Sequence, residues 1–176
     1  MRMMSADYPD LAAAITSALG PVRLVAVSYL DERPAQVEKF EGTVPSGCTF
    51  WSLATTGQGF YTVPSDHFNC PIGAYTHGLD LPSDRTSELE QTLALMENIG
   101  YIRMEEVPSI PRLPSQPPYV YYAPLAATRV DPSVVIAAGQ PGPLMRLQEA
   151  AVHAGAASQL PPLGRPAGMA VPARGA

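Results

Sequence analysis

The strongest constraint on the fold is the run Val22–Leu30, rich in valine and apolar at every position except Arg23 and Ser28. A continuous apolar stretch of this length and composition reads as a strand covered on both faces, not as one that turns a face to water. Such a strand needs a packed layer on either side of its sheet. Just before it, Leu11, Ile15 and Leu19 recur at four-residue spacing, Pro9 suits a first helical turn and Gly20 a stop, which predicts a short amphipathic helix over 9–19. The chain therefore opens with a helix that feeds a buried strand.

Further along, Ser87 and Glu90 have capping-box spacing ahead of Leu89, Leu93, Met96 and Ile99, with Gly100 as a left-handed stop, which predicts a second helix starting at Ser87. Prolines at 108, 111, 114, 117 and 118 forbid both a regular helix and a central strand there. Two more strands are expected at 119–123 and 134–138. The second leads through the turn Gly139-Gln140-Pro141-Gly142 into a helix over 144–154 ended by Gly155. That turn lacks the lysine and Ser/Thr of a phosphate-binding loop.

Because helix and strand alternate, the expected fold class is α/β (or α+β). It is a single domain over 1–155 with helices packed on a mixed sheet and a proline-rich loop around 104–118. A chain of 176 residues is long enough to bury most of its apolar surface in one core and short for two. Residues 156–176 carry four prolines and read as a tail, or as the start of a missing remainder of the same domain.

Charge excludes some partners. A net charge of −5 with no basic cluster argues against nucleic acid, whose binding needs concentrated Lys and Arg. Arg2 followed by Asp7 and Asp10 is the wrong charge order for a secretory signal, and no 18-residue apolar run is present, so neither export nor membrane insertion is expected. The expected location is cytoplasmic. Two cysteines there are expected to be reduced, ligating or catalytic.

Chemistry concentrates in 46–79. Ser46 precedes the apolar stretch containing Phe50, Trp51 and Leu53, so it is expected to cap a short helix with Cys48 in its first turn. Pro71 fits a first helical position and puts Cys70 or Asn69 at the cap of another. Amide N–H groups at helix starts favour thiolate over thiol, and a thiolate is both a better nucleophile and a better ligand. His67, three residues before Cys70, has a spacing at which imidazole and thiolate can share a metal ion.

Cys48, His67 and Cys70 would thus give three ligands with a fourth position open. This set suits zinc, iron or an iron–sulfur cluster. The blander reading makes each cysteine a small buried hydrophobe and His67 a hydrogen-bonded loop histidine. His77 stands about 10 Å along a helix axis from Cys70. It is expected with Trp51 and Tyr75 in the wall of the site and not among its ligands. Asp66, Asp80 and Asp84 read as turn-capping carboxylates.

The runs SGCTFWSLA at 46–54, DHFNCPIGAYTHG at 66–78, MEEVPSIPRL at 104–113 and PPLGRPAGMAVP at 161–172 resemble the family named domain of unknown function 169. The resemblance covers most of the chain and implies a fold and a probable site without naming a reaction. Members of that family usually continue into a further glycine- and cysteine-containing motif and often carry a cysteine near the position of Gly168. This chain departs on both counts, as a shortened copy or a variant lacking part of a four-cysteine set would.

Three functions follow as expectations. The first is a metal- or iron–sulfur-binding protein with a redox or accessory role. The second is an enzyme with Cys70 or Cys48 as nucleophile and His67 as base. The third is a small-molecule or partner-binding module whose cysteines are structural.

Overall fold

The computed structural model describes residues 7–155, so the segment 156–176, including the run at 161–172, lies outside the described residues. Helix α1 (Tyr8–Leu19) leads through Gly20, held at φ +89°, into strand β1 (Val22–Leu30). Helix α2 (Cys48–Leu53), strand β2 (Phe60–Thr62), a 3-10 turn (Pro64–His67) and helix α3 (Pro71–Thr76) follow. Next come α4 (Ser83–Asn98), a 3-10 segment (Met104–Ser109), β3 (Tyr119–Pro124), β4 (Val134–Gly139) and α5 (Pro141–His153).

The four strands form one sheet in the order β2-β3-β1-β4. The three ladders are antiparallel, and Lys39 adds an isolated parallel bridge to Tyr61. The valine-rich β1 is internal, as its composition requires, and side-chain alternation divides it between two cores. Leu24 and Ala26 pack with Tyr8 and Ala12 of α1 and with Leu125. Val25 and Val27 pack on the opposite face with Phe50 and Ala54 of the α2 region and with Val120 and Tyr122 of β3. Helical cover on both faces makes this the single α/β domain anticipated from the order of elements.

Three boundaries differ from expectation. Helix α4 starts at Ser83, with Pro82 as its cap, and the Ser87 hydroxyl donates to the Asp84 carbonyl inside the helix. A serine one turn into a helix has that local acceptor available and no free amide left to cap. Helix α5 starts at Pro141, so Pro141 and Gly142 form its first turn and the loop from β4 is shorter than expected. At α2 the cap is Gly47, and the Ser46 hydroxyl instead meets Cys48 Sγ at 3.0 Å and Thr49 Oγ1 at 3.2 Å.

The proline-rich stretch after Ser109 forms neither helix nor strand and runs as a strap across the end of α3. Leu113 N–H donates to the Thr76 carbonyl (2.9 Å), and Asp80 N–H donates to Gln116 Oε1 (3.0 Å). Gly78, at φ +66°, permits this docking: a Cβ there would stand 2.8 Å from the Leu113 carbonyl oxygen.

Candidate functional site: a buried imidazole pair

The 3-10 turn Pro64–His67 is fixed from outside by Asp66, whose carboxylate accepts the Val63 N–H at 2.8 Å and pairs with Lys39 Nζ at 3.2 Å. This capping role, expected for Asp66, turns the next side chain inward. His67 is 2% exposed and lies against the sheet, with its ring centroid 4.9 Å from that of Phe50. Its Nε2 meets Thr62 Oγ1 at 2.8 Å, and that hydroxyl reaches the Val120 carbonyl at 3.3 Å. A hydroxyl has one proton and a carbonyl only accepts, so all three atoms are satisfied when Thr62 donates to Val120 and His67 Nε2–H donates to Thr62. Nδ1 is then a bare lone pair.

His77 follows the last residue of α3 and is 3% exposed. Its Nδ1 lies 2.8 Å from the Gly73 carbonyl and must be the donor, which leaves Nε2 as its lone pair. The two imidazoles lie with centroids 5.4 Å apart and planes tilted by 35°. Tyr29 of β1 stands edge-on to His77 at 5.8 Å, and Tyr122 of β3 lies 6.4 Å from His67.

Four buried polar atoms in this cluster make no hydrogen bond among the described residues: His67 Nδ1, His77 Nε2, Tyr29 OH and Tyr122 OH. Burial, reinforced by the neighbouring His77, pushes the His67 pKa down to about 3. Burial also lowers that of His77, against the opposing effect of its bond to Gly73. Tyr29 is raised by burial, and Tyr122 is raised by burial and by Tyr29 beside it. All four side chains are therefore neutral at pH 7, which leaves a polar interior without charge.

Tyr29 also borders a cleft. Together with Leu30, Asp31 and Ser133 it forms one wall of a cleft of about 410 Å³, and strap residues 113–117 form the other. Tyr29 is thus common to the cleft wall and to the surroundings of the imidazole pair.

Of the residues singled out from the sequence, His67 and His77 meet here and the two cysteines do not. Cys48 is exposed and Cys70 half-buried, both as free thiols. Cys70 does cap α3, with Pro71 at the first helical position as expected, and its carbonyl accepts the Ala74 N–H. Among the described residues, no group of three or more His, Cys, Asp or Glu side chains is placed to hold a metal ion. The expected Cys48–His67–Cys70 set is not assembled, because the His67 ring turns toward the sheet and its Nε2 is bound to Thr62.

His77, expected in the wall, is instead the partner of His67. Trp51 packs against the core cluster around Phe50, and Tyr75 lies under the Arg112 guanidinium at 4.6 Å. Neither belongs to the imidazole cluster. Sequence reasoning missed Tyr29 and Tyr122. The available signal was two-residue alternation, which puts Tyr29 on the face of Val25 and Val27, where a buried phenol needs a partner.

A family model described as "Uncharacterised ArCR", domain of unknown function 169, matches residues 16–162. The chain belongs to this family. No curated protein and no solved structure matches it. The match to domain of unknown function 169 spans every strand and all helices except the first turns of α1, so the imidazole pair, both cysteines and the strap lie within it.

Proposed function

We propose that this domain is a small-molecule-binding module whose ligand enters the cleft beside Tyr29 and reaches the His67–His77 pair only when the packing around Tyr29 opens, with Cys48 and Cys70 structural. One observation carries this reading: two neutral imidazoles, 2–3% exposed, each present a nitrogen that no group of the described chain satisfies. Leaving a buried polar atom unpaired costs about 1–3 kcal/mol. For the four such atoms that is roughly 4–12 kcal/mol, comparable with the whole stability of a typical domain at about 5–15 kcal/mol. A partner from outside the chain removes that cost.

The proposal includes a cytoplasmic location, supported by two free thiols of the kind a reducing compartment maintains. No helix among the described residues is long and apolar enough to cross a membrane.

The test is thermal denaturation of wild type, the C48S/C70S double variant and His67→Phe against a panel of uncharged polar compounds, zinc chloride and ferrous salt. An uncharged compound should raise the Tm of wild type and of the cysteine double variant but not of His67→Phe. Stabilisation by zinc or iron alone, lost with the cysteines, would replace this reading with metal binding.

A further inference from the structure

The end of β1 overhangs its neighbour. The ladder between β1 and β4 closes at the pair Val27 and Val134, beside which the Ser133 N–H donates to the Val27 carbonyl at 2.9 Å. Beyond that rung the Tyr29 N–H donates to Ser133 Oγ at 3.1 Å, so Tyr29 turns its main-chain groups toward the β4 side. In an antiparallel ladder the N–H and C=O of one residue face the same neighbour, and every second residue repeats that direction. Continued one residue past Leu30, this alternation turns the Tyr29 carbonyl and the Asp31 N–H into the lane that β4 leaves empty. No described residue hydrogen-bonds either group. The lane opens into the cleft of about 410 Å³, which Tyr29, Leu30 and Asp31 line along β1, with Ser133 at the end where β4 begins and strap residues 113–117 opposite.

An acceptor and a donor two residues apart on one strand pair with an adjoining extended chain, through the N–H of one residue and the C=O of the residue two before it. A compound with a single amide reaches only one of them. Three extended residues span about 10 Å, and growth along the lane stops at Ser133 and Val134, so the occupant is short. Running antiparallel to β1, as β4 does, it has its carboxyl end at Ser133 and its amino end at Asp31. Asp31 is the one charged side chain of the lining, so the cleft offers a partner to a cation and none to an acid.

We propose, resting on the reading of this cleft as the ligand's entry, that the ligand is a short peptide of about three residues added as an extended strand beside Tyr29, Leu30 and Asp31. The C=O of its first residue accepts the Asp31 N–H, and the N–H of its third donates to the Tyr29 carbonyl.

The experiment is an NMR titration of the full chain at neutral pH that follows the Asp31 amide proton and the Tyr29 carbonyl carbon. The probes are trialanine amide, its N-acetylated form, and trialanine amide with an ester oxygen in place of the third nitrogen, which removes the donor without adding bulk. The first two should move both signals saturably, with the free amino end binding more tightly. The ester should bind about tenfold more weakly, as the loss of one such hydrogen bond implies. Asp31→Pro deletes an N–H that makes no bond in the free chain and should weaken trialanine amide by about the same factor, whereas Asp31→Asn should remove only the preference for the free amino end. Two alanines added at the carboxyl end would run into Ser133 and should abolish the shifts.

An ester that binds as tightly as the amide, or unchanged affinity in Asp31→Pro, would overturn the strand pairing. Full affinity of the lengthened peptide would make the occupant an internal segment of a longer chain and overturn the short peptide. If neither tripeptide moves these signals while a compound of the thermal panel above still stabilises the wild type, the peptide falls and the binding-module reading stands; if nothing in that panel stabilises it either, both fall.

Discussion

Acidification tests the imidazole pair directly. His67 titrates near 3 in the folded chain and near 6.5 when unfolded. Below 6.5 the unfolded chain takes up a proton that the folded chain refuses, so His67 favours folding fully above that value and progressively less as the pH falls toward 3. The slope is about 1.4 kcal/mol per pH unit, so from pH 6.5 to 5 His67 alone removes roughly 2 kcal/mol. His77, also lowered by burial, adds a loss of the same sign. Urea unfolding at steps from pH 7.5 to 5 measures this, in a range above the ordinary titration of exposed carboxylates. The wild-type free energy should fall by at least about 2 kcal/mol, and His67→Phe, which fits the aromatic surroundings of Phe50, should have a visibly shallower slope. A wild-type curve flat over this range, or an equal slope in the variant, would refute the neutral buried pair.

Two other perturbations probe the supports of the site. Gly78→Ala strains a left-handed position and pushes against the Leu113 carbonyl. It should cost about 1–3 kcal/mol and should speed proteolysis of the strap between 110 and 118 relative to the rest of the chain. Asp66→Ala removes the acceptor for Val63 N–H and the partner of Lys39. A loss of about 1 kcal/mol is expected from the cap, and Asp66→Asn, which keeps an acceptor for Val63 N–H but not the ion pair, should recover most of it; an Asn variant as unstable as the Ala variant would shift the weight to the ion pair.

Much of the fold was legible because it rests on local rules. The apolar run of β1 required cover on both faces, and Gly20 and Gly100 stop their helices with positive φ. Proline spacing excluded regular structure between 110 and 118. The starts of α4 and α5 were less legible because several residues near each boundary can serve: Ser83 and Ser87 lie one turn apart, and a helix begun at either one packs Leu93 with Ile72 and Ile102. The site was harder to read. Spacing in sequence placed His67 near Cys70, which is true of the backbone, but the direction of the ring is set by Thr62 and Phe50, one on the adjoining strand and one on a separate helix. The imidazole pair itself joins a 3-10 turn to the end of α3, and its phenols come from β1 and β3. No periodicity within one element carries that meeting.

The composition of this core also bears on why the chain retains it. Thr62, His67, His77, Tyr29 and Tyr122 occupy the same face of the sheet as Val25, Val27 and Val120, where purely apolar side chains of similar size would avoid the desolvation that burial imposes. Well-packed hydrophobic replacements of buried polar groups are often neutral or stabilising. Stability alone therefore does not account for two imidazoles and two phenols with unused hydrogen-bonding atoms in a core that has phenylalanine beside them at Phe50 and Phe60. Acid sensitivity and ligand response then have one origin. The unpaired nitrogens that make protonation costly in the folded chain are the same atoms that a neutral donor would satisfy, so a bound ligand should leave the acid slope in place while raising the whole stability curve.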